Sequence, residues 1–163
     1  AFLQCNAFTH FPEQLRKLKK LQFLSLWGNK IGAVPDWINE LQQLTQLLLE
    51  DCDLTSVPDT LFSLPALNTL NVLKNPRLSE LPETIGRAPS LETLVLSQCG
   101  LKGLPKSLAN MSSLRNLLLA DNQITAIAKE IRNMRLDTIV LSGNPMQRTP
   151  WTRWTFKARK VFL

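Results

Sequence analysis

The chain has 163 residues, 44% hydrophobic and 20% charged, the balance of one folded domain rather than a disordered chain or a string of catalytic modules. No apolar run approaches the roughly 18 residues of a membrane-spanning helix. The net charge of +6 is local: residues 145–163 hold Arg148, Arg153, Lys157, Arg159 and Lys160 with no acid, and the preceding residues hold 14 basic against 13 acidic side chains. The basicity therefore belongs to the tail, which disfavours a nucleic-acid track along the body. The N-terminal stretch AFLQCNAFTHFP has neither a basic segment nor a continuous apolar one, so it does not read as a targeting signal.

Residues 1–20 form a partial unit in which Leu3, Asn6, Phe8, Phe11-Pro12, Leu15 and Leu18 match the second half of a repeat. Complete copies then begin at Leu21, Leu44, Leu67, Leu91, Leu114 and Leu136, separated by 23, 23, 24, 23 and 22 residues. They read LQFLSLWGNKI, LTQLLLEDCDL, LNTLNVLKNPRL, LETLVLSQCGL, LRNLLLADNQI and LDTIVLSGNPM. A second conserved spacing follows the first within the chain itself: Val34-Pro35, Val57-Pro58, Leu81-Pro82 and Leu104-Pro105 each precede further apolar positions. Repeats thus span 1–146, with an irregular basic and aromatic cap over 147–163. Because the first unit is partial and stacked repeats need capped ends, the chain is expected to be a fragment of a longer protein.

This pattern resembles leucine-rich repeat proteins, of the 23-residue subtype with a Leu-Pro step found in intracellular and bacterial members. The resemblance implies an α/β solenoid: a parallel sheet lines the concave face, and short helices or 3-10 turns form the convex one. It further implies protein binding. It also brings in an alternative, the recognition arm of a larger enzyme such as a bacterial effector ubiquitin ligase, a kinase or a GTPase, with the catalytic domain elsewhere.

The residues themselves support a strand in every copy. Alternation turns Leu24/Leu26, Leu47/Leu49, Leu70/Val72, Leu94/Leu96, Leu117/Leu119 and Ile139/Leu141 inward. The intervening positions then face outward in columns. The central column is Phe2, Ser25, Leu48, Asn71, Val95, Leu118 and Val140. The next is Gln4, Trp27, Glu50, Leu73, Ser97, Ala120 and Ser142, and the one before begins with Phe23. Exposed apolar area of this extent marks a binding face. The candidate partner-binding residues are Phe23, Trp27, Leu48, Leu73, Val95, Leu118 and Val140, with Glu50, Asp51, Lys74 and Asp121 as orienting charges. Phe23, Trp27 and Leu73 are the expected anchors. The competing reading packs the aliphatic members against one another along the sheet.

The ninth repeat position holds Asn29, Cys52, Asn75, Cys99, Asn122 and Asn144. An amide there can bridge turn backbone, and a small thiol fits the same slot. Cys52 and Cys99 lie two repeats apart, roughly 10 Å by strand spacing, too far for a disulfide. Cys5 should be partly exposed. Such cysteine usage favours a cytoplasmic, reducing location. Catalysis finds no support: His10 has no nucleophile in its repeat, Glu50, Asp51 and Asp53 read as a solvated acidic patch, and no cofactor or metal motif occurs.

In the tail, Trp151, Trp154, Ala158 and Val161 fall at helical spacing, flanked by cations. An amphipathic basic helix could meet a membrane, a partner groove or RNA. A helical cap sealing the last repeat is favoured instead, since a solenoid needs one.

Overall fold

A computed structural model of the chain describes residues 1–146 and 156–163. Each Leu-x-Leu core becomes a three-residue strand: β1 (Phe23–Ser25), β2 (Gln46–Leu48), β3 (Thr69–Asn71), β4 (Thr93–Val95), β5 (Asn116–Leu118) and β6 (Thr138–Val140). A further strand, β7 (Lys160–Phe162), follows in the tail. All pair in parallel in the order β1 to β7. The register pairs each residue with its equivalent one repeat on, as Leu24 with Leu47, Leu47 with Leu70, and Leu70 with Leu94. The 24-residue step between Leu67 and Leu91 does not disturb this pairing, so its extra residue is absorbed outside the strands.

The inward side chains predicted from alternation are the core. Leu24, Leu26, Leu47, Leu49, Val72, Leu94, Leu96, Leu117, Leu119 and Ile139 are fully buried, and Leu70 and Leu141 nearly so. Only stacked neighbours can bury a strand this short, so its stability is that of the interfaces between repeats.

The convex side consists of 3-10 helices at Glu13–Lys17, Asp36–Glu40, Asp59–Ser63, Glu83–Arg87 and Lys106–Asn110. The prolines stand one position earlier than a first-turn placement: Pro12, Pro35, Pro58, Pro82 and Pro105 are N-caps in extended conformation. Each lends its carbonyl to an amide three residues on, as in Ile38 N to Pro35 O at 3.1 Å, while its missing N–H leaves no orphan donor. In the sixth repeat Ala128 replaces proline, and a short α-helix, α1 (Lys129–Arg132), takes over with Arg132 N bonding Ala128 O, four residues back, at 3.1 Å. The convex elements pack closely: a Cβ on Gly86 would lie 2.3 Å from the Ser107 carbonyl oxygen, so only glycine fits between these two turns.

The tail departs from expectation. Helical spacing predicted one amphipathic helix through Ala158 and Val161, but Lys160–Phe162 is a strand that extends the sheet, Val161 pairing with Ile139. Leu141 N donates to Phe162 O at 2.6 Å, and Lys160 N to Asp137 O at 2.9 Å. The open edge of β6 offers a row of unpaired backbone groups, and pairing them outweighs a helical preference. The other half of that expected helix, Trp151 and Trp154, lies outside the described residues, as do Arg148 and Arg153.

Candidate functional site

The strand register sets the outward side chains in straight columns, about 4.8 Å apart from repeat to repeat. Phe2 bridges to Ser25, Ser25 pairs with Leu48, Leu48 with Asn71, Asn71 with Val95, Val95 with Leu118, Leu118 with Val140, and Val140 with Phe162. The face is graded along its length. Phe2 at one end is 74% exposed, Trp27 44% and Phe162 at the other end 52%, whereas Leu48, Leu73, Val95, Leu118 and Val140 are half-buried. The aliphatic ridge thus partly covers itself, and the two ends present the freest aromatic surface.

At the N-terminal end three aromatic residues share this face. The Phe2 and Phe23 rings lie 4.7 Å apart with planes tilted by 37°. Ser25, between Phe23 and Trp27 on the same face of its strand, is buried to 3% exposure although its position faces outward. The polar members are held in place. Asn71 donates to the Glu50 carboxylate and accepts from Leu73 N at 3.0 Å, Asn116 donates to Thr93 Oγ1 at 3.2 Å, and Ala120 N donates to Ser97 Oγ at 3.1 Å. Glu50 is therefore anchored across repeats, not free in solvent.

Beyond the strands the chain turns through a column in left-handed conformation. Cys5, Gly28, Asp51, Lys74, Gln98, Asp121 and Gly143 all have φ between 50° and 73°. Three of the candidate charges, Asp51, Lys74 and Asp121, are in this column and exposed. Their amides continue the sheet ladder, Asp51 N to Leu73 O at 2.9 Å and Asp121 N to Ser142 O at 2.8 Å, so the turn angle of each charge is fixed. The signal for this column was present in the glycines and aspartates just before the Asn/Cys slot, residue types that tolerate positive φ. Asp53, the third member of the acidic patch, points elsewhere and pairs with Arg77 at 3.1 Å.

Directly under this column lies the slot itself. Asn75 donates to Leu49 O at 2.9 Å and Val72 O at 2.7 Å, and accepts from Cys52 N at 3.1 Å and Leu54 N at 2.9 Å. Asn29, Asn122 and Asn144 repeat the arrangement. Cys52 and Cys99 occupy it as donors alone, to Leu26 O and Val72 O at 3.3 Å each. Burial pushes both thiols up to about 11, so neither is a nucleophile at neutral pH. Cys5 is exposed, and so is His10, whose Nδ1 lies 3.3 Å from Thr9 Oγ1.

Of the sequence candidates, Phe23, Trp27, Leu48, Glu50, Leu73, Val95, Leu118 and Val140 lie together on the concave face, and Asp51, Lys74 and Asp121 line its rim. Phe162 was missed because the tail was read as a helix. The surface so assembled is long and regular, with exposed aromatics toward its two ends.

Leucine-rich repeat family patterns match residues 20–41 and 42–101, together half of the chain. The chain is a leucine-rich repeat protein. Its leucine-rich repeats are 36% identical over 97 residues to mouse leucine-rich repeat and calponin homology domain-containing protein 1, covering 60% of this chain and 13% of that protein. Among solved structures, the leucine-rich repeat domain of the type III effector XopL superposes with a TM-score of 0.77 at 26% identity, over 86% of this chain and 51% of that one. The leucine-rich repeat ectodomain of the plant membrane receptor kinase GASSHO1/SCHENGEN3 from Arabidopsis thaliana, solved in complex with CASPARIAN STRIP INTEGRITY FACTOR 2, gives 0.70 at 26% identity, over 93% of this chain and 19% of that one. The chain thus spans a minor part of the mouse relative and of the plant ectodomain, and about half of the effector domain.

Proposed function

We propose that this leucine-rich repeat chain is a protein-binding module that holds its partner along the concave sheet. The observation that carries the reading is the aromatic end of the central columns, where Phe2 and Trp27 stay exposed beside a ridge whose aliphatic members Leu48, Leu73, Val95, Leu118 and Val140 are half-buried. Aromatic side chains held rigidly at the end of an apolar track are the usual energetic anchors of interfaces. The complexed receptor ectodomain supports the choice of a protein or peptide partner. Within this reading the module acts as the recognition arm of a longer polypeptide, supported by its 13% share of the mouse relative. A bacterial effector remains one form of that arm, supported by the XopL likeness. A cytoplasmic location goes with it, supported by three cysteines distributed over separate repeats.

Partner capture on immobilised protein tests the proposal, with the Trp27→Ala/Leu73→Ala variant beside the native chain. The variant should retain the fold, since both side chains lie outside the core, and should weaken capture by at least about tenfold. A folded variant that captures the same partner equally well overturns the concave-face reading.

A further inference from the structure

A second concentration of chemistry lies off the concave face, at the rim where the chain enters its last strands. Arg115, Asp137 and Arg159 immediately precede β5, β6 and β7, and with Arg135, Leu136 and Lys157 they line a cleft of about 670 Å³. Backbone bonds fix the main chain that carries these residues on successive turns. Asp137 N donates to Arg115 O at 2.8 Å, Arg159 N to Leu136 O at 3.0 Å, and Lys157 N to Arg132 O at 3.0 Å. The carboxylate of Asp137 meets Arg159 Nε at 3.5 Å, and among the described lining residues it is the one acid beside four cations. The excess of positive charge favours anions of a partner, because an incoming counter-charge offsets the mutual repulsion of the cations.

A smaller cavity of about 240 Å³ shares Arg115 and Arg135 with the cleft and is otherwise lined by Ala109, Met111, Ser112, Leu114 and Met134. Methionines adapt to differing apolar groups. The two cavities share Arg115 and Arg135, with the other cations lining the larger and Met134 lining the smaller.

We propose that this corner binds an acidic peptide segment, seating carboxylates against Arg115, Arg135, Lys157 and Arg159 and a bulky apolar side chain against Met134. The site is independent of the concave face. A lone anion would leave most of a cleft of this size empty, which matches instead the range of about 300–1,000 Å³ typical of larger ligands.

Fluorescence anisotropy with a labelled Glu-Glu-Leu-Glu-Glu peptide tests this against Gln-Gln-Leu-Gln-Gln and Glu-Glu-Ala-Glu-Glu. The native chain should prefer the first over each control, and Arg115→Gln/Arg135→Gln should weaken it by about tenfold. Lys102→Gln/Lys106→Gln removes the same charge elsewhere and should leave binding within about twofold. Met134→Ala should reduce the preference for leucine while preserving that for glutamate. Circular dichroism confirms the fold of each variant. Equal losses in the two charge variants, equal binding of the glutamate and glutamine peptides, or displacement of the peptide by inorganic phosphate or a short oligonucleotide at lower concentration would each overturn the proposal.

Discussion

The two faces of the same strands obey different rules. Inward positions are almost all leucine and almost all fully buried, while the outward central column runs phenylalanine, serine, leucine, asparagine, valine, leucine and valine and stays partly exposed at most positions. The inner face must fill a close-packed interior, where a missing methylene leaves a void. The outer face has only to remain compatible with its cross-strand neighbours. Stability and recognition therefore occupy opposite sides of a sheet one residue thick, and substitutions should separate them.

The largest separation is expected at Leu94. Its side chain is fully buried, so Leu94→Ala should lower stability by about 4 kcal/mol through lost transfer energy and a cavity, read by chemical denaturation. Partner binding by the fraction still folded should be unchanged. Direct loss of affinity in that folded fraction would mean that the inner face shapes the outer one, and the comparison would break.

A middle-sized effect sharpens it within the turns. Asn75→Ala removes the donor to two backbone carbonyls and the acceptor for two backbone amides and should cost about 3 kcal/mol, whereas Cys99→Ala removes a thiol that only donates and should cost about 1 kcal/mol. Matched denaturant melts compare the two. Equal losses would show that volume, not the amide's bridging, decides the slot.

The smallest effect belongs to the convex surface. Hydrogen bonds from Arg16 and then Lys19 hold the Glu40 carboxylate down at about 2, below its ordinary 4.5. A depressed carboxylate contributes stability above its unfolded value and loses it as pH falls through the folded one. Native chain and Glu40→Gln should therefore differ slightly in melting temperature above pH 4.5 and converge toward pH 2. Exposure keeps the difference small. A gap that widens on acidification would contradict the assignment.

Most of the fold was legible because its signal is repeated. One Leu-x-Leu alternation is ambiguous, but six in register leave a single face to bury, and the Asn/Cys slot then fixes the turn. The concave candidates followed from alternation alone. Legibility failed where repetition stopped. In the tail, spacing of Ala158 and Val161 suggested a helix, yet the decisive influence was the unsatisfied edge of β6, which no local pattern records. Phe162 was lost with it. The basic cleft escaped for a related reason: Lys157 and Arg159 belong to the tail that was read as a helix, and only the pairing of β7 with β6 brings them beside Arg115 and Arg135. The half-burial of Leu48, Val95 and Leu118 also depends on neighbours one repeat away, so alternation could assign their face but not their exposure.

The spacing of the concave columns imposes a vernier on any partner laid straight along them. Adjacent strands stand about 4.8 Å apart, while an extended peptide turns successive side chains to one face every 6.6 Å or so. Three peptide steps and four repeats both come to roughly 20 Å. A straight strand can thus come into phase with the columns at β1 and again at β5, falling out of step between them. A ligand that engages every repeat must bend, cross obliquely or present an irregular surface.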